Sequence, residues 1–309
     1  GHSDGCSMTR TNLHDGVYAV LFALFDAQEA LDHGAMKAQV EYCVETGCHG
    51  ITVLGLATEV LKLTFAERCA LVETAARANA GRLPFSVTIA GNSVGEQVEL
   101  AACAAAAGAD WLILQPPMVG SYGADVYLDF FARVATSTTL PVAVQNAPQY
   151  LGRALSGEDL VRLKQRAPNL AAVKAEDAAL GLARIIDVAG DSLAVVGGRG
   201  GLEMTDALRI GCRGFVLAPD IAPVAARILD LWQADRHVEA EALYAAALPA
   251  ATFVMQSLEH LITYGKRILG ENAGIAIHDR APCLPVQPVG LSIARQWSET
   301  LSRLQQERP

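Results

Sequence analysis

Short apolar runs alternate with amphipathic stretches along most of the chain. Three times, at residues 46–54, 108–114 and 211–217, a helical stretch ends in a glycine that an uninterrupted apolar run soon follows. A glycine in that place supplies the left-handed residue that ends a helix. A continuous apolar run suits a parallel strand that is buried on both faces. The pattern therefore predicts parallel strands, each preceded by a helix.

Eight such runs predict eight strands: 18–25, 50–54, 85–89, 111–114, 142–144, 171–174, 193–196 and 215–217. Helical stretches fill the gaps, and two of them open with capping-box patterns, at Thr64-x-x-Glu67 and Ser156-x-x-Asp159. Eight alternations of strand and helix are typical of a (β/α)8 TIM barrel, an α/β fold. The alternative, a doubly wound sheet, favours a glycine-rich phosphate turn after its first strand, where residues 26–29 read Asp-Ala-Gln-Glu.

The strand pattern stops near residue 235. The stretches 237–247, 251–269 and 291–304 predict helices, with a proline-bearing loop at 281–288. We therefore expect a barrel over residues 16–235 and an appended C-terminal helical region over 236–309, packed on the barrel and able to serve oligomerisation. Residues 1–15 are interpreted as a tag and N-terminal segment, with residues 1–7 left from an expression tag before Met8.

Composition narrows the partners. Hydrophobic residues make up 51% of the chain, enough for a large core. The net charge of −9, without a basic cluster, argues against nucleic acid and anionic membranes. The apolar run at 17–25 is shorter than the roughly 20 residues that cross a bilayer. Seven cysteines without a C-x-x-C motif favour reduced thiols and a cytoplasmic location.

Candidate chemistry lies where the predicted strands end, because barrel active sites form at the carboxyl ends of the strands. These segments are 55–59, 91–92, 115–118, 145–146, 174–176, 197–198 and 218–220. They contain no histidine, so a metal site lacks obvious ligands, and no nucleophilic serine or cysteine meets a histidine there. Lys174 is the only one of the five lysines in this set.

Lys174 follows the apolar run 170–173, and Glu176 comes two residues later. Residues i and i+2 of a strand point to the same side, so both side chains are predicted to face one cavity. Burial disfavours the ammonium form of a lysine and leaves a nucleophilic amine that can form a Schiff base. The alternatives are a lysine that extends to water and a solvated Glu176 near the cap of the next helix, although Asp177 can serve as that cap without Glu176.

Several short motifs support a family resemblance: Gly16-Val-Tyr18, Leu54-Gly-x-x-x-Glu59, Gly81-Arg-Leu-Pro84, Ala90-Gly-x-Ser93, Gly108-Ala-Asp110, Asn146-Ala-Pro148 and Lys174. In order and spacing, over about residues 16–235, they resemble the dihydrodipicolinate synthase / N-acetylneuraminate lyase family of class I lyases. The resemblance implies Lys174 as the Schiff-base lysine, a small 2-oxo acid as substrate, no cofactor, and a homo-oligomer, often a tetramer.

Departures from the family pattern concern the substrate. Gln145 stands where the family has a proton-relay tyrosine, and Tyr150 stands where the synthases have an arginine that grips a substrate carboxylate. Gln145, the Pro116-Pro117 pair and Glu176 are instead similar to the L-2-keto-3-deoxyarabonate dehydratase branch. Leu56 and Ala57 and the loop 197–200 differ from that branch as well.

The combined expectations assign a role to each candidate. Glu176 is the acid/base, and Gln145 orients the carbinolamine or a water, since an amide does not shuttle protons. The substrate contacts are expected at Ala57 and Thr58, whose N–H groups would hold the carboxylate with the Thr58 hydroxyl, and at Asn146 and Gly198. The predicted function is a metal-independent class I lyase, a dehydratase of a 2-keto-3-deoxy sugar acid. The alternatives are a pyruvate-dependent aldolase or synthase-like enzyme, or a non-catalytic metabolite-binding protein.

Overall fold

A computed structural model describes residues 12–306, in which eight parallel strands close into one barrel in chain order. The first strand pairs with the second and the eighth, so the sheet has no edge. The strands are β1 (Gly16–Val20), β2 (Gly50–Val53), β3 (Phe85–Ile89), β4 (Trp111–Leu114), β5 (Val142–Asn146), β6 (Leu170–Ala175), β7 (Ala194–Gly197) and β8 (Gly214–Leu217). The predicted TIM barrel is confirmed, and the doubly wound alternative is wrong because the ring is closed.

Helices surround the strands and continue after the barrel. They are α1 (His33–Glu45), α2 (Phe65–Asn79), α3 (Val94–Ala106), α4 (Ala124–Ala135), α5 (Pro148–Leu151), α6 (Gly157–Arg166), α7 (Ala179–Ala189), α8 (Met204–Arg209), α9 (Ala222–Gln233), α10 (His237–Val254), α11 (Leu258–His260), α12 (Lys266–Ala273) and α13 (Pro288–Gln306). The predicted tag at residues 1–7 lies outside the described residues.

Local signals in the sequence fix several helix ends. Both predicted capping boxes are present, at Thr64 with Glu67 and at Ser156 with Asp159. The three glycines predicted to end helices, at positions 47, 108 and 211, have φ angles of 85°, 95° and 108°. Side chains at those positions would be strained, so glycine allows the chain to leave each helix and enter the next strand.

The first strand is shorter than predicted. Residues 21–25 are buried, but the backbone of Phe22 bonds to the side chain of Gln39 in α1 and not to a neighbouring strand. The amide of Gln39 donates to the Phe22 carbonyl and accepts from its N–H, both at 2.9 Å. A helix side chain therefore takes over the ladder bonds, and the apolar run continues as extended chain.

The C-terminal helices also differ from the prediction in two places. Helix α10 continues through Pro249 to Val254, where we predicted a break. The predicted helix at 251–269 is instead interrupted, since Ser257 caps α11 and a π-helical turn, Leu261–Gly265, leads into α12. No single helix of residues 12–306 is long and apolar enough to cross a membrane; α10 and the 258–273 segment pass by length and composition only as a pair bent by 102°.

The C-terminal region packs against the strand ends that carry the candidate site. Arg280, in the chain between α12 and α13, forms an ion pair with Glu67 of α2 at 2.7 Å. Lys266 of α12 reaches Glu59 in the loop after β2, and both side chains are buried. Leu258 and Leu261 line the same cavity as Lys174. The appended region therefore forms one wall of the barrel mouth.

Candidate active site

Lys174 lies near the end of β6, between Gln145 of β5 and Val196 of β7 in the ladder. Its side chain is only 3% exposed and reaches a cavity at the carboxyl ends of the strands. The Nζ atom lies 2.8 Å from Oε1 of Glu176. The predicted juxtaposition of these two side chains is therefore present, and the alternative of a lysine extending to water does not describe the structure.

Glu176 continues the extended chain one residue past β6. Its N–H donates to the carbonyl of Asn146 at 2.8 Å, which keeps β5 and the chain after β6 together beyond the formal strand end. Its carboxylate is also bound by Nε2 of Gln145 at 3.1 Å. Asp177, which we predicted as the cap of the next helix, only binds the N–H of Ala178, and Ala178 takes the N-cap position of α7.

Gln145 joins the pair through the ladder between β5 and β6. Because Gln145 and Lys174 are register partners, their side chains project from neighbouring strands at the same level of the barrel. The amide oxygen of Gln145 is buried and has no hydrogen-bond partner among residues 12–306. A buried acceptor without a partner is costly in a folded protein, so this oxygen is a candidate acceptor for a substrate hydroxyl or a water.

Gly198, predicted as a substrate contact, lies against Glu176. A Cβ atom at position 198 would be 2.9 Å from Cγ of Glu176, so any side chain there would displace the carboxylate. The geometry gives Gly198 a spatial role, which is to leave room for Glu176.

Two predicted substrate contacts are already engaged within the protein. The Thr58 hydroxyl donates to the carbonyl of Leu21 at 2.6 Å, and its N–H donates to Gly55. The Asn146 amide binds the backbone of Leu155 at both ends, at 2.8 and 2.9 Å. We correct the expectation for Thr58, because its hydroxyl and its N–H are both engaged within the protein. Asn146 fastens the loop after β5 with its oxygen and one amide N–H, and a contact with substrate stays a prediction for it. Ala57, by contrast, lines the cavity with Lys174.

The cavity also brings in three polar side chains to which we had given no role. They are Tyr150 from α5, Arg199 from the loop after β7, and Asp220 from the segment after β8. Tyr150 was noted only as the residue in place of an arginine, and Asp220 only as one of the strand-end residues. Arg199 lies in a glycine cluster that on its own is weak evidence for a phosphate site. Asp220 was already among the strand-end residues, and segments extended a few residues further after each strand would also have included Tyr150 and Arg199.

The electrostatics of this cavity follow from burial. Burial raises the pKa of Asp220 to about 7, although backbone N–H groups of Asp220 and Ile221 act in the opposite direction. Burial also raises the pKa of Tyr150; the charge of Glu176 adds to that effect, and the charge of Arg199 opposes it. Asp220 Oδ1 has no hydrogen-bond partner in the described part of the chain. The cavity therefore holds a buried carboxyl close to half-protonation at neutral pH.

In the part of the chain that the structure describes, neither a metal-binding cluster nor a cysteine pair forms a second candidate site. Within residues 12–306, no group of three or more His, Cys, Asp or Glu side chains is arranged to hold a metal ion. The six cysteines in that range are free thiols. The site therefore offers a buried lysine amine beside a carboxylate, in a cavity lined by apolar and by charged side chains.

Comparisons with known proteins show similarity in sequence and in fold. The profile described as the dihydrodipicolinate synthetase family matches residues 13–297. The chain is 29% identical to L-2-keto-3-deoxyarabonate dehydratase of Azospirillum brasilense over 77% of this chain and 79% of that protein. It is 27% identical to the probable mitochondrial 4-hydroxy-2-oxoglutarate aldolase of Emericella nidulans, over 95% and 97%. In structure it is similar to YagE, a prophage protein of E. coli K12 solved in complex with pyruvate, with a TM-score of 0.85, 22% identity and coverage of 94% and 99%.

Proposed function

The chain belongs to the dihydrodipicolinate synthetase family, whose members are lyases that act through a Schiff-base lysine, and we propose that Lys174 is that lysine here. Within the family we propose that the enzyme is a dehydratase of a 2-keto-3-deoxy sugar acid. The observation that supports this most strongly is the buried contact of 2.8 Å between Lys174 Nζ and Glu176 Oε1, with Gln145 on the same carboxylate.

The proposed reaction begins with attack of the neutral Lys174 amine on C2 of the 2-oxo acid. The carbinolamine loses water to give an iminium ion, which is an electron sink that makes a C3 proton removable. Glu176 takes that proton, and the resulting enamine expels the C4 hydroxyl, which leaves as water with the proton that Glu176 returns. Hydrolysis of the remaining imine releases the dehydrated 2-oxo acid and restores Lys174.

The other residues bind and orient the substrate in this proposal. The Gln145 oxygen, which is buried without a partner in residues 12–306, would accept a hydrogen bond from the carbinolamine hydroxyl or from water. The C1 carboxylate would lie toward the backbone at Ala57, on the loop that Thr58 fastens to Leu21. Asn146 would contribute by fixing the chain after β5, and Gly198 by leaving room for Glu176.

A pyruvate-releasing or pyruvate-adding aldolase is the second candidate. The aldolase relative from Emericella nidulans aligns over 95% of this chain, more than the dehydratase relative does. Aldol cleavage needs a base at the C4 hydroxyl, whereas dehydration needs one at C3. We favour the dehydratase because Gln145, Glu176 and the Pro116-Pro117 pair follow that branch, and because an amide cannot relay the proton that a tyrosine relays.

The test is a product analysis with a 2-keto-3-deoxy pentonate and the purified protein. A dehydratase gives a product lighter by one water and no pyruvate. An aldolase releases pyruvate, which lactate dehydrogenase detects. If neither product forms and borohydride traps no 2-oxo acid on the protein, both proposals fail. A homo-oligomeric state stays a prediction from the family resemblance.

A further inference from the structure

Arg199 has an unusual backbone conformation in the loop after β7. Its φ angle is 55°, in the left-handed region, although glycines surround it at 197, 198, 200 and 201. Gly200 next to it is covered by Met255, since a Cβ atom there would lie 2.3 Å from Cγ of Met255. A non-glycine residue in this region is uncommon, and strain of this kind clusters at functional sites. The loop thus holds an arginine where a glycine would fit more easily.

The guanidinium of Arg199 is only partly bound. Nη1 donates to Oε2 of Glu203 at 2.9 Å, and the same oxygen accepts the N–H of Ala179 at the start of α7. The Nε atom is buried and has no partner among residues 12–306. Elsewhere in this protein, Arg213 uses Nε and Nη2 together to hold both oxygens of Asp15, at 2.8 and 3.0 Å. In Arg199 the same Nε–Nη2 edge could bind a carboxylate, and its Nε–H makes no hydrogen bond within residues 12–306.

Arg199 borders the cavity that contains Lys174. Tyr150 and Glu176 line the same cavity, and the charges of Glu176 and Arg199 both act on the Tyr150 hydroxyl. The side chain is 16% exposed, so an ion pair formed with a ligand here would be largely shielded from water. An arginine therefore reaches the cavity from the loop after β7, although the sequence has Tyr150 where the synthases place theirs.

The position of the loop indicates which end of a substrate Arg199 would meet. Strand β7 is the neighbour of β6, whereas the loop with Ala57 follows β2, on the other side of the ring. If the C1 carboxylate lies toward Ala57 and C2 is joined to Lys174, the remaining carbons extend toward the side of the cavity that Arg199 borders. We propose that Arg199 is a specificity-determining residue that binds a second carboxylate at the far end of the substrate, so that the preferred substrate is a 2-oxo diacid.

This inference rests on the proposed function, because it needs Lys174 to form the imine. It deepens that function by giving the sugar acid a carboxylate at both ends. A carboxylate would accept hydrogen bonds from Nε–H and Nη2–H together, and would so satisfy the buried Nε–H within a two-bond pair. A hydroxyl at the same end would accept only one of these two bonds. Glu203 would act as a positioning residue, since it holds Nη1 and leaves Nε–H for the ligand.

A matched pair of probes tests the proposal without knowledge of the natural substrate. 2-Oxoglutarate and 2-oxopentanoate have the same chain length and differ in the far end, a carboxylate in one and a methyl in the other; pyruvate has no far end. The concentration of each probe that half-saturates borohydride trapping on the protein is measured by intact mass. We expect wild-type protein to half-saturate at about 10- to 100-fold less 2-oxoglutarate than 2-oxopentanoate, the range for a charge-assisted hydrogen-bonded pair.

Three variants locate the effect. Arg199→Gln should reduce the preference for 2-oxoglutarate to about one and leave pyruvate trapping unchanged. Glu203→Gln breaks the same ion pair but keeps the guanidinium, so it should retain most of the preference. Arg209→Gln, an exposed arginine in α8 that pairs with Asp206, removes the same charge at a distance and should behave as wild type.

The outcomes separate the two proposals. Wild-type protein that traps 2-oxopentanoate as readily as 2-oxoglutarate contradicts the role of Arg199 and leaves Lys174 as the nucleophile. Equal loss of all three probes in Arg199→Gln, pyruvate included, would mean that Arg199 binds the C1 carboxylate or only supports the loop, and the inference would be wrong. No adduct with any probe in wild-type protein overturns the proposed function itself.

Discussion

Two buried lysines each contact a carboxylate at the mouth of this barrel, and of the two only Lys174 lines the cavity at the strand ends. Lys174 is 3% exposed and Lys266 is 0% exposed, so burial alone does not distinguish them. Lys174 shares Glu176 with the neutral amide of Gln145 and faces the cavity. Lys266 shares Glu59 with a second cation, Lys62, at 2.8 Å from that carboxylate.

The surroundings of Lys266 are those of a structural ion pair. Its Nζ lies 4.9 Å from the centroid of the Phe25 ring, and Lys62 also donates to the carbonyl of Arg280. Burial lowers the pKa of Lys266, and the Glu59 carboxylate opposes that effect. A lowered lysine pKa is often taken as a sign of a nucleophile. Here it accompanies a pair that fastens the loop after β2 to α12, and the difference lies in the cavity beside Lys174.

The largest expected effect is on the rate when Glu176 loses its charge. Glu176→Gln keeps the shape of the side chain and removes the proton acceptor, so turnover should fall by about 10² to 10⁴. Imine formation stays possible, so borohydride trapping on Lys174 should survive. Exchange of C3 hydrogens of a bound 2-oxo acid with D₂O should slow in parallel. Exchange at the wild-type rate would place the acid/base on another residue.

Glu59→Gln is the matched control for that experiment, because Glu59 is also a buried carboxylate next to a buried lysine. It should leave C3 exchange per folded molecule within a few-fold of wild type. A drop as large as that of Glu176→Gln would mean that the two pairs act as one unit.

The second prediction concerns stability and reverses the ranking of the two lysines. Lys266→Met leaves Glu59 buried with Lys62 as its remaining partner, so the free energy of unfolding should fall by about 3 kcal/mol, the low end for a broken buried pair. Lys174→Met should cost less, about 1 kcal/mol, because Gln145 still binds Glu176 and water can enter the open cavity. Urea denaturation of the two variants measures this, and an equal cost in both would contradict the distinction.

The third prediction concerns Asp220, a buried carboxyl placed between the two regions. Asp220 lines the cavity of Lys174. It also packs against Gly265, the residue before Lys266: a Cβ atom on Gly265 would lie 3.6 Å from Cγ of Asp220. Its folded-state pKa of about 7 is above its ordinary value of 3.8. The stability that the neutral form contributes is therefore fully present below about pH 4 and is lost as the pH rises through 7.

Asp220→Asn removes that titration. The unfolding free energy of wild type, relative to the variant, should fall by about 2 to 3 kcal/mol between pH 4.5 and pH 7.5. The substitution can also change the unfolding free energy by an amount that does not depend on pH. That amount cancels when the two pH values are compared. A difference that stays flat over the range, or that grows in favour of wild type, would show that Asp220 is ionised at little cost in the folded protein.

The sequence predicted the barrel well because the evidence for it is local. Continuous apolar runs, glycines at helix ends and two capping boxes each depend on a few adjacent residues. The end of the first strand depends on a distant partner. Gln39, 17 residues away in α1, takes the ladder bonds of Phe22. No window of adjacent residues contains that information.

The candidate site divides in the same way. Lys174 and Glu176 are two residues apart on one strand, so their contact follows from strand geometry. Asn146 and Thr58 were expected to hold substrate, but their polar groups bind Leu155 and Leu21, contacts that only the folded chain defines. Arg199 was missed because the strand-end segment that we considered, 197–198, stops one residue before it.

The most direct test of the central claim is to find which lysine forms the imine. The protein is incubated with pyruvate, reduced with borohydride, digested and mapped by mass spectrometry, alongside Lys174→Ala and Lys266→Met. We predict a single adduct on the peptide that contains Lys174, retained in folded Lys266→Met and lost in Lys174→Ala. An adduct on Lys266, or one that persists in Lys174→Ala, would contradict the assignment of the nucleophile.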